Sequence, residues 1–175
     1  HEIRTPLNGV IGMTDILEET PLTDEQREYV ALLKSSGRHL LALINDVLDF
    51  SKLEAGKLET REEEFDLREF LDEIFAFGAA RASINGLEFR GTVSHSAPSC
   101  VMGDRFRIRQ ILTNLLDNAV KFTAAGRITV AATSEGIDED GRATLRFSVA
   151  DTGIGVSEGA LGQLFAEFSQ VDPSL

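Results

Sequence analysis

The sequence contains no tryptophan, and cysteine, tyrosine and proline are scarce. The single thiol, Cys100, cannot form a disulfide within the chain, which favours a reducing compartment, and we expect Cys100 to be a small buried apolar residue. No apolar run approaches the roughly 20 residues of a membrane-spanning helix, and no signal-peptide pattern is present. Together these absences indicate a cytoplasmic location.

Positive charge is also in short supply. The 17 lysines and arginines stand against 29 aspartates and glutamates, which gives a formal net charge of -12. Because nucleic acids and anionic membrane surfaces repel such a chain, we expect neither as a partner of this segment. The 175 residues suit one or two small domains. The sequence begins at His1 inside an apolar-periodic segment and ends abruptly at Asp172-Pro173-Ser174-Leu175, so we expect a piece of a longer protein, which is compatible with a membrane anchor elsewhere.

Residues 1–58 have the hydrophobic periodicity of two helices. The apolar residues of the first helix follow helical spacing and are Ile3, Leu7, Val10 and Leu17. A break at Pro21 follows. Thr23 and Gln26 then form a capping-box pattern, which predicts where the second helix begins.

The second helix carries two neighbouring apolar stripes. The first stripe comprises Tyr29, Leu33, Ser36, Leu40, Leu43, Val47 and Phe50, and the second comprises Val30, Leu41, Ile44 and Leu48. Two stripes require burial against more than one neighbour, whereas one hairpin supplies one neighbour. We therefore predict a homodimeric four-helix bundle made of two hairpins. The alternative is that these helices pack on the rest of their own chain.

Residues 59–175 mix helical and strand periods, after a boundary marked by Gly56 and a charged run. The predicted helices carry Leu67, Phe70, Leu71, Ile74 and Phe75 in one stripe and Ile108, Ile111, Leu112, Leu115, Ala119 and Phe122 in another. The second of these helices begins at the cap Asp104 and stops at Gly126. Strands are predicted over 87–93, 127–133 and 144–150, and a short helix over 157–165. We predict an α/β sandwich with one sheet covered by helices, and an α+β fold for the whole chain.

The N-terminal octapeptide His1-Glu2-Ile3-Arg4-Thr5-Pro6-Leu7-Asn8 places several reactive groups together. On a helix, His1 and Thr5 lie one turn apart on the same face, and Glu2 flanks the imidazole. An imidazole nitrogen that attacks phosphorus needs its other nitrogen held by an acceptor, and Glu2 is the nearest one. Pro6 lacks an N–H and clashes with the carbonyl of Glu2, so we expect the helix to kink or loosen beside the histidine.

This octapeptide resembles the phosphoacceptor box of the sensor histidine kinases. The resemblance implies that His1 is phosphorylated, that Glu2 assists, and that Thr5 positions water for dephosphorylation of a partner regulator. His39 and His95 match no part of the family pattern, and we expect both to be structural or solvated.

Asn114, Asn118 and Lys121 form a polar stripe beside the apolar stripe of the predicted helix that begins at Asp104. Amide oxygens can ligate Mg²⁺, and a lysine can meet a phosphate as a point charge, although on most helices such residues are simply at the surface. The stretch from Asn114 to Phe122 resembles the family's asparagine box. The resemblance implies that Asn118 holds the metal, that Asn114 and Lys121 meet the phosphates of ATP, and that Phe122 belongs to the same site.

The segment Asp151-Thr152-Gly153-Ile154-Gly155 follows a predicted strand and, taken alone, is a common turn pattern. It resembles the family's first glycine-rich box. The resemblance implies that Asp151 accepts a hydrogen bond from the adenine amino group and that Gly153, Ile154 and Gly155 let the backbone approach the base. Phe165 and Phe168 resemble the phenylalanine box that anchors a lid over ATP, with a role as core aromatics as the alternative.

The resemblance spans nearly the whole chain in the family's order and is greatest to the hybrid histidine kinases, which carry their own receiver domain. It implies a homodimer in which 1–58 is the dimerisation and phosphotransfer domain and 59–175 the domain that binds ATP and Mg²⁺. The phosphate would pass from His1 to an aspartate of a response regulator or fused receiver domain, with an accompanying phosphatase activity. The second glycine-rich box finds no match up to Leu175, so we expect an incomplete nucleotide site.

Two other functions share some of these features. ATPases of the gyrase and heat-shock chaperone type share the nucleotide fold but need a carboxylate one turn before the metal-binding asparagine, where this sequence has Asn114. A non-catalytic dimeric phosphotransfer scaffold is the second alternative, and such proteins usually have eroded nucleotide motifs. Because Asn118, Lys121 and Asp151 are present, the sequence favours the kinase.

Overall fold

The structure is a computed structural model that describes residues 3–140 and 142–156, and only the backbone of Asp46 and Ile137. The chain divides into two compact units between Glu59 and Thr60. The helix predicted over 157–165 lies outside the described residues.

The first unit contains helices α1 (Arg4–Glu18) and α2 (Asp24–Glu54), as the periodicity predicts. The predicted capping box is confirmed at the start of α2. The Gln26 N–H donates to the Thr23 hydroxyl at 3.2 Å, and the Thr23 N–H donates to the Gln26 side-chain carbonyl at 3.0 Å. Two N–H groups that lack helical acceptors are thereby satisfied, which fixes the first residue of α2.

The two helices pack closely where α2 has a glycine. A Cβ added at Gly37 would lie 3.1 Å from Cγ1 of Ile11, so a larger residue would push α1 away. Lys34 of α2 makes an ion pair with Asp15 of α1 at 2.7 Å and a second with Glu18. The hydrogen bond from Lys34 holds the pKa of Asp15 below its ordinary value, and the hydrogen bond to Asp15 raises the pKa of Lys34. Apolar and charged contacts therefore both align the hairpin.

Pro6 does not kink the described part of α1. It is the third residue of α1, and the described helix is continuous from Arg4 to Glu18. The hydrogen bond from the Leu7 N–H to the Ile3 carbonyl is long, at 3.4 Å. Glu2, with which a clash was expected, lies outside the described residues, so the expected kink or loosening beside the histidine stays a prediction.

The first predicted stripe of α2 remains largely uncovered within one chain. Tyr29, Leu33, Leu40, Leu43 and Val47 each expose between 49% and 57% of their surface. Helix α1 also exposes apolar side chains, which are Val10, Met13, Ile16 and Leu17. A hairpin with this much exposed apolar surface has the character of half a helical bundle.

The described residues of the second unit form two helices and five strands: β1 (Glu63–Asp66), α3 (Leu67–Ile84), β2 (Glu88–Val93), β3 (Cys100–Gly103), α4 (Arg105–Phe122), β4 (Arg127–Ile137) and β5 (Ala143–Asp151). One described sheet has the order β2-β4-β5, with β2 parallel and β5 antiparallel to β4. The other described sheet is the antiparallel pair β1-β3. The α+β class predicted from the sequence is confirmed.

Several details of this unit differ from the sequence-based expectations. The described strands form two sheets rather than one, because β1 and β3 are four-residue strands whose mostly exposed side chains gave no strand signal. Helix α4 ends at Phe122, ahead of the expected stop at Gly126, because the backbone of Thr123 is already extended. Strand β4 continues past Thr133 through a bulge between Ser134 and Gly136.

Cys100 was expected to be buried, and that expectation is wrong. Its side chain is exposed on β3, and the thiol donates a hydrogen bond to the Glu64 carboxylate at 3.1 Å. This bond is the main cause of a raised pKa of the Cys100 thiol. A hydrogen bond to a carboxylate favours the protonated thiol, which is the less nucleophilic form.

One face each of α3 and α4 packs against the inward side of the three-stranded sheet. The fully or almost fully buried apolar residues include Leu67, Phe70, Leu71, Ile74, Leu112, Leu116, Ile128 and Val130. A charged clamp reinforces the pair of helices, because Glu73 of α3 accepts hydrogen bonds from Arg105, at 2.8 Å, and from Arg109 of α4. The Arg109 hydrogen bond is the main cause of a lowered pKa of Glu73. The predicted Asp104 cap is confirmed, since its carboxylate accepts the Arg107 N–H at 2.9 Å.

Two adjacent leucines of α4 test this packing. Leu116 is 0% exposed and Leu115 is 45% exposed. We predict that Leu116→Ala lowers the free energy of unfolding by about 3 kcal/mol, because it leaves a cavity in a close-packed core. Leu115→Ala, the matched control, should cost less than about 1 kcal/mol. Urea denaturation followed by circular dichroism measures both, and equal losses would show that α4 does not bury the assigned face.

Candidate functional site

The face of α4 opposite the core presents the polar stripe identified in the sequence. Asn114, Asn118 and Lys121 are all exposed. Within the described residues, neither asparagine side chain makes a hydrogen bond, and Lys121 makes no ion pair. Two amide groups and one ammonium group are thus held on a rigid helix without being used to stabilise it. Such uncommitted polar groups are available to a ligand.

The end of α4 carries an aromatic residue next to this lysine. The Lys121 ammonium lies 5.0 Å from the centroid of the Phe122 ring, and Phe122 is 38% exposed. A cation at that distance interacts favourably with the ring. The neighbouring Asp117 is directed elsewhere, to an ion pair of 3.5 Å with Arg81 of α3. The acidic group within the stretch is therefore occupied in holding α4 to α3.

The glycine-containing turn after β5 contacts the end of α4 directly. The Ile154 N–H donates to the carbonyl oxygen of Phe122 at 3.3 Å. A Cβ added at Gly153 would collide with the same carbonyl, so only glycine permits this approach. Gly155 has a φ of 68°, a left-handed conformation that also favours glycine. These contacts bring Gly153, Ile154 and Gly155 to the helix end that carries Lys121 and Phe122.

Asp151 is the last residue of β5, and one of the two oxygens of its exposed carboxylate accepts a hydrogen bond. The Oδ1 atom accepts the N–H of Gly153 at 2.8 Å, which fixes the side chain across the turn. No hydrogen bond or ion pair to Oδ2 is present among the described residues. The hydrogen bond to Oδ1 therefore orients the carboxylate, and Oδ2 can accept a hydrogen bond from a further donor.

Two threonines contribute to this region that the sequence patterns did not single out as functional. The Thr152 hydroxyl accepts the Arg127 N–H at 3.0 Å, which ties the glycine-containing turn to the start of β4. Thr123 is 4% exposed, and its hydroxyl finds no partner among the described residues. The signal for Thr152 was its position directly after a strand, where hydroxyl side chains often organise turns. Thr123 gave no signal, because its burial depends on tertiary packing.

In the first unit, the described part of the octapeptide begins at Ile3. Thr5 lies exposed in the first turn of α1, and the Arg4 guanidinium donates to the side-chain carbonyl of Asn45 on α2 at 2.6 Å. His1 and Glu2, predicted to carry and assist the phosphoacceptor chemistry, lie outside the described residues, as do Phe165 and Phe168. His39 and His95 are exposed.

The described residues contain neither a carboxylate, histidine or cysteine group suited to a metal nor a membrane-spanning helix. Over 3–140 and 142–156, no three or more histidine, cysteine, aspartate and glutamate side chains are grouped as a metal site would require. None of the described helices is both long enough and apolar enough to cross a membrane. A metal bound through amide oxygens and phosphates would not require such a group of side chains.

Comparison with known proteins gives two domain matches. Residues 1–56 match the His Kinase A (phospho-acceptor) domain. Residues 103–174 match the family described as histidine kinase-, DNA gyrase B-, and HSP90-like ATPase. The two matches occur in the order implied by the octapeptide and by the asparagine-containing helix.

Full-length relatives agree with these matches. The sensor protein GacS of Pseudomonas syringae pv. syringae is 46% identical over 100% of this chain, and BarA of Escherichia coli K12 is 43% identical over 100% of it. In each case the chain spans 19% of the relative's length. The crystal structure of full-length ShkA in complex with AMPPNP aligns with a TM-score of 0.77 and 45% identity, covering 97% of this chain and 35% of that one. With a phosphoacceptor domain followed by an ATPase domain of this type, the chain belongs to the sensor histidine kinase family.

Proposed function

We propose that this chain is the catalytic core of a two-component sensor histidine kinase. In this proposal His1 accepts the γ-phosphate of ATP and then passes it to an aspartate of a response regulator or a fused receiver domain in the cytoplasm. One observation carries the proposal: Asn114, Asn118 and Lys121 are exposed and uncommitted on α4, and the turn that begins at Asp151 is docked on the end of the same helix. The AMPPNP bound by the ShkA relative supports ATP as the nucleotide.

The described residues fit ATP at both of its ends. At the base end, the free oxygen of Asp151 can accept a hydrogen bond from an exocyclic amino group, while the backbone contact of Gly153 with Phe122 keeps side chains out of the way. At the phosphate end, Lys121 supplies positive charge and Asn114 an amide donor. Phe122 lies at the junction of the two ends, where an aromatic ring can contact the nucleotide.

Mg²⁺ is the metal that suits this donor set. It prefers hard oxygen ligands and often takes only one or two from the protein, with phosphates and water supplying the rest. We assign Asn118 as the protein ligand, through its side-chain carbonyl. When bound, the ion would neutralise charge that develops on the phosphates during transfer.

In the proposed reaction a nitrogen of His1 attacks the γ-phosphorus, an N–P bond forms, and the bond from phosphorus to the bridging oxygen of ADP breaks. Glu2 accepts a hydrogen bond from the second imidazole nitrogen and so keeps the attacking nitrogen unprotonated. Lys121 and Asn114 hold the phosphates in line. Thr5, one turn from His1, is proposed to position water in the reverse function, dephosphorylation of the regulator.

The two alternative functions are less compatible with these residues. An ATPase of the gyrase or chaperone type would activate water with a carboxylate in place of Asn114, and an amide is not a base. The nearest acidic residue, Asp117, is paired with Arg81. A non-catalytic phosphotransfer scaffold does not need polar side chains without hydrogen-bond partners next to a glycine-containing turn.

In this proposal, residues 1–58 carry out dimerisation and phosphotransfer, and residues 59–175 bind ATP.

We further propose that the first unit forms a homodimer. The exposed stripe of α2 and the exposed apolar residues of α1 form the kind of surface that a second hairpin covers in a four-helix bundle. The domain match over 1–56 supports this assembly, since such hairpins need apolar partners.

His1→Gln tests the phosphoacceptor. We predict that the full-length parent carrying His1→Gln loses acid-labile phosphate incorporation from labelled ATP while its affinity for ATP stays within about twofold, because the side chain accepts phosphate and does not bind the nucleotide. His95→Gln, a change at an exposed histidine outside the octapeptide, is the control and should label normally. Acid-labile label that persists on His1→Gln would contradict the assignment.

Asn118→Ala tests the metal ligand. We expect affinity for Mg-ATP, measured by calorimetric titration, to fall by at least about tenfold. The free energy of unfolding without nucleotide should change by less than about 0.5 kcal/mol, because the side chain is exposed and holds no described partner. Asp117→Asn, at the adjacent residue, should leave Mg-ATP binding unchanged. A large loss of stability in Asn118→Ala would instead make Asn118 a structural amide.

Leu40→Glu tests the dimer. Leu40 is 49% exposed in the single chain, and a carboxylate at this position would have to be desolvated in a bundle. We predict a dimer for the unmodified chain at tens of micromolar and a monomer for Leu40→Glu, as measured by sedimentation velocity. Ser35→Glu, on another face of α2, should remain dimeric. A monomeric unmodified chain would refute the bundle.

A further inference from the structure

The hydroxyl of Thr152 takes the place of a backbone acceptor where β4 and β5 stop pairing. The last regular pair is Ile128 with Asp151, and the same register sets Arg127 opposite Thr152. A hydrogen-bonded antiparallel pair normally exchanges two backbone bonds. Here the Thr152 N–H donates to the carbonyl oxygen of Arg127 at 3.2 Å, but the Arg127 N–H donates to Oγ1 of Thr152 at 3.0 Å. The side chain thus closes the end of the strand pair in place of its own backbone carbonyl.

Gly126 provides the space that this hydroxyl occupies. Its φ of 120° favours glycine, and a Cβ added there would collide with Oγ1 of Thr152. The carbonyl oxygen of Gly126 accepts the N–H of Glu88 at 2.9 Å, which joins the same segment to β2. The backbone to which Thr152 binds is therefore itself held by a neighbouring strand.

The Asp151 carboxylate lies between this closure and the glycine-containing turn. Its Oδ1 atom accepts the N–H of Gly153 at 2.8 Å, so the direction of Oδ2 depends on the backbone of residues 151–153. Thr152 is the residue of these three whose side chain bonds to β4. Strand ends fray when their closing hydrogen bonds are lost, and a binding group must be held to within about 0.5 Å to act well. Loss of the hydroxyl should therefore displace Oδ2.

We propose that Thr152 is a positioning residue for base recognition: its hydrogen bond with Arg127 holds Asp151 where Oδ2 accepts a hydrogen bond from an exocyclic amino group of the base. This inference rests on the proposed binding of ATP. Thr152 touches neither the base nor the phosphates, since its hydroxyl is bonded to the sheet. Its effect is confined to nucleotides whose base carries the amino group that Asp151 recognises.

Two diphosphates that differ by one amino group test this role in the full-length parent. Purine riboside diphosphate has the ring system of ADP without the 6-amino group. In calorimetric titrations with Mg²⁺, Thr152→Val should weaken ADP binding about tenfold and purine riboside diphosphate binding less than about twofold, because a hydrogen bond to a charged acceptor is misplaced. Thr152→Ser keeps the hydroxyl and should bind ADP as the parent does. In an Asp151→Ala background, Thr152→Val should weaken ADP binding no further. Equal losses for the two diphosphates, or an unchanged affinity for ADP, would overturn the proposal.

Thr129→Val is the matched control, because Thr129 lies on β4 and its hydroxyl makes no hydrogen bond within the described residues. It should leave both affinities unchanged, and a selective loss of ADP binding there would also overturn the proposal. Amide hydrogen exchange at Arg127, measured without nucleotide, should accelerate several-fold in Thr152→Val but not in Thr152→Ser or Thr129→Val. Unchanged exchange in Thr152→Val would show that the hydroxyl does not hold the strand end. A parent that binds neither diphosphate would refute the proposed nucleotide site itself, whereas a preference for ADP that survives in Thr152→Val would refute only the role of Thr152.

Discussion

The placement of α4, with one face in the core and the other in solvent, is the constraint on which the candidate nucleotide site depends. Leu112, Leu116 and Ala119 are buried, while Asn114 and Asn118 are exposed on the same helix. Since a helix has 3.6 residues per turn, burial of one stripe fixes the direction of the other. The free energy that orients the amides is therefore supplied by apolar packing and by the clamp between α3 and α4, so the amides themselves remain available for a ligand.

The second constraint is the contact between the end of α4 and the turn after β5. A single backbone oxygen, that of Phe122, both accepts the Ile154 N–H and lies where any side chain at residue 153 would collide. The strand that ends at Asp151 and the helix that carries Asn118 are thereby held in one arrangement. A ligand recognised by both must have its two recognised ends separated by a fixed distance, which suits a nucleotide better than a free base or a free phosphate.

Local signals in the sequence predicted much of this structure, and tertiary effects account for most of the differences. Thr23 with Gln26 and Asp104 could be assigned as caps because a cap is a contact between near neighbours. By contrast, β1 becomes a strand only by pairing with β3, more than thirty residues away, and exposed glutamates hide its pattern. The expectation that Cys100 is buried was wrong for the same reason, because Cys100 lies on β3, the strand that pairs with β1. For the candidate site, the sequence predicted which residues supply polar groups, namely Asn114, Asn118 and Lys121. It could not predict that these side chains make no hydrogen bonds or ion pairs with other described residues.

The two units differ in how far each completes its own core. In the second unit, the buried faces of α3 and α4 meet the sheet, and the largest buried side chains belong to this one cluster. In the first unit, Val30 is the only buried apolar side chain among the described residues, and both helices keep apolar side chains exposed. A second hairpin, as in the proposed homodimer, would cover this exposed surface and stabilise the first unit, whereas the described helices and sheet of the second unit bury apolar faces against one another within one chain.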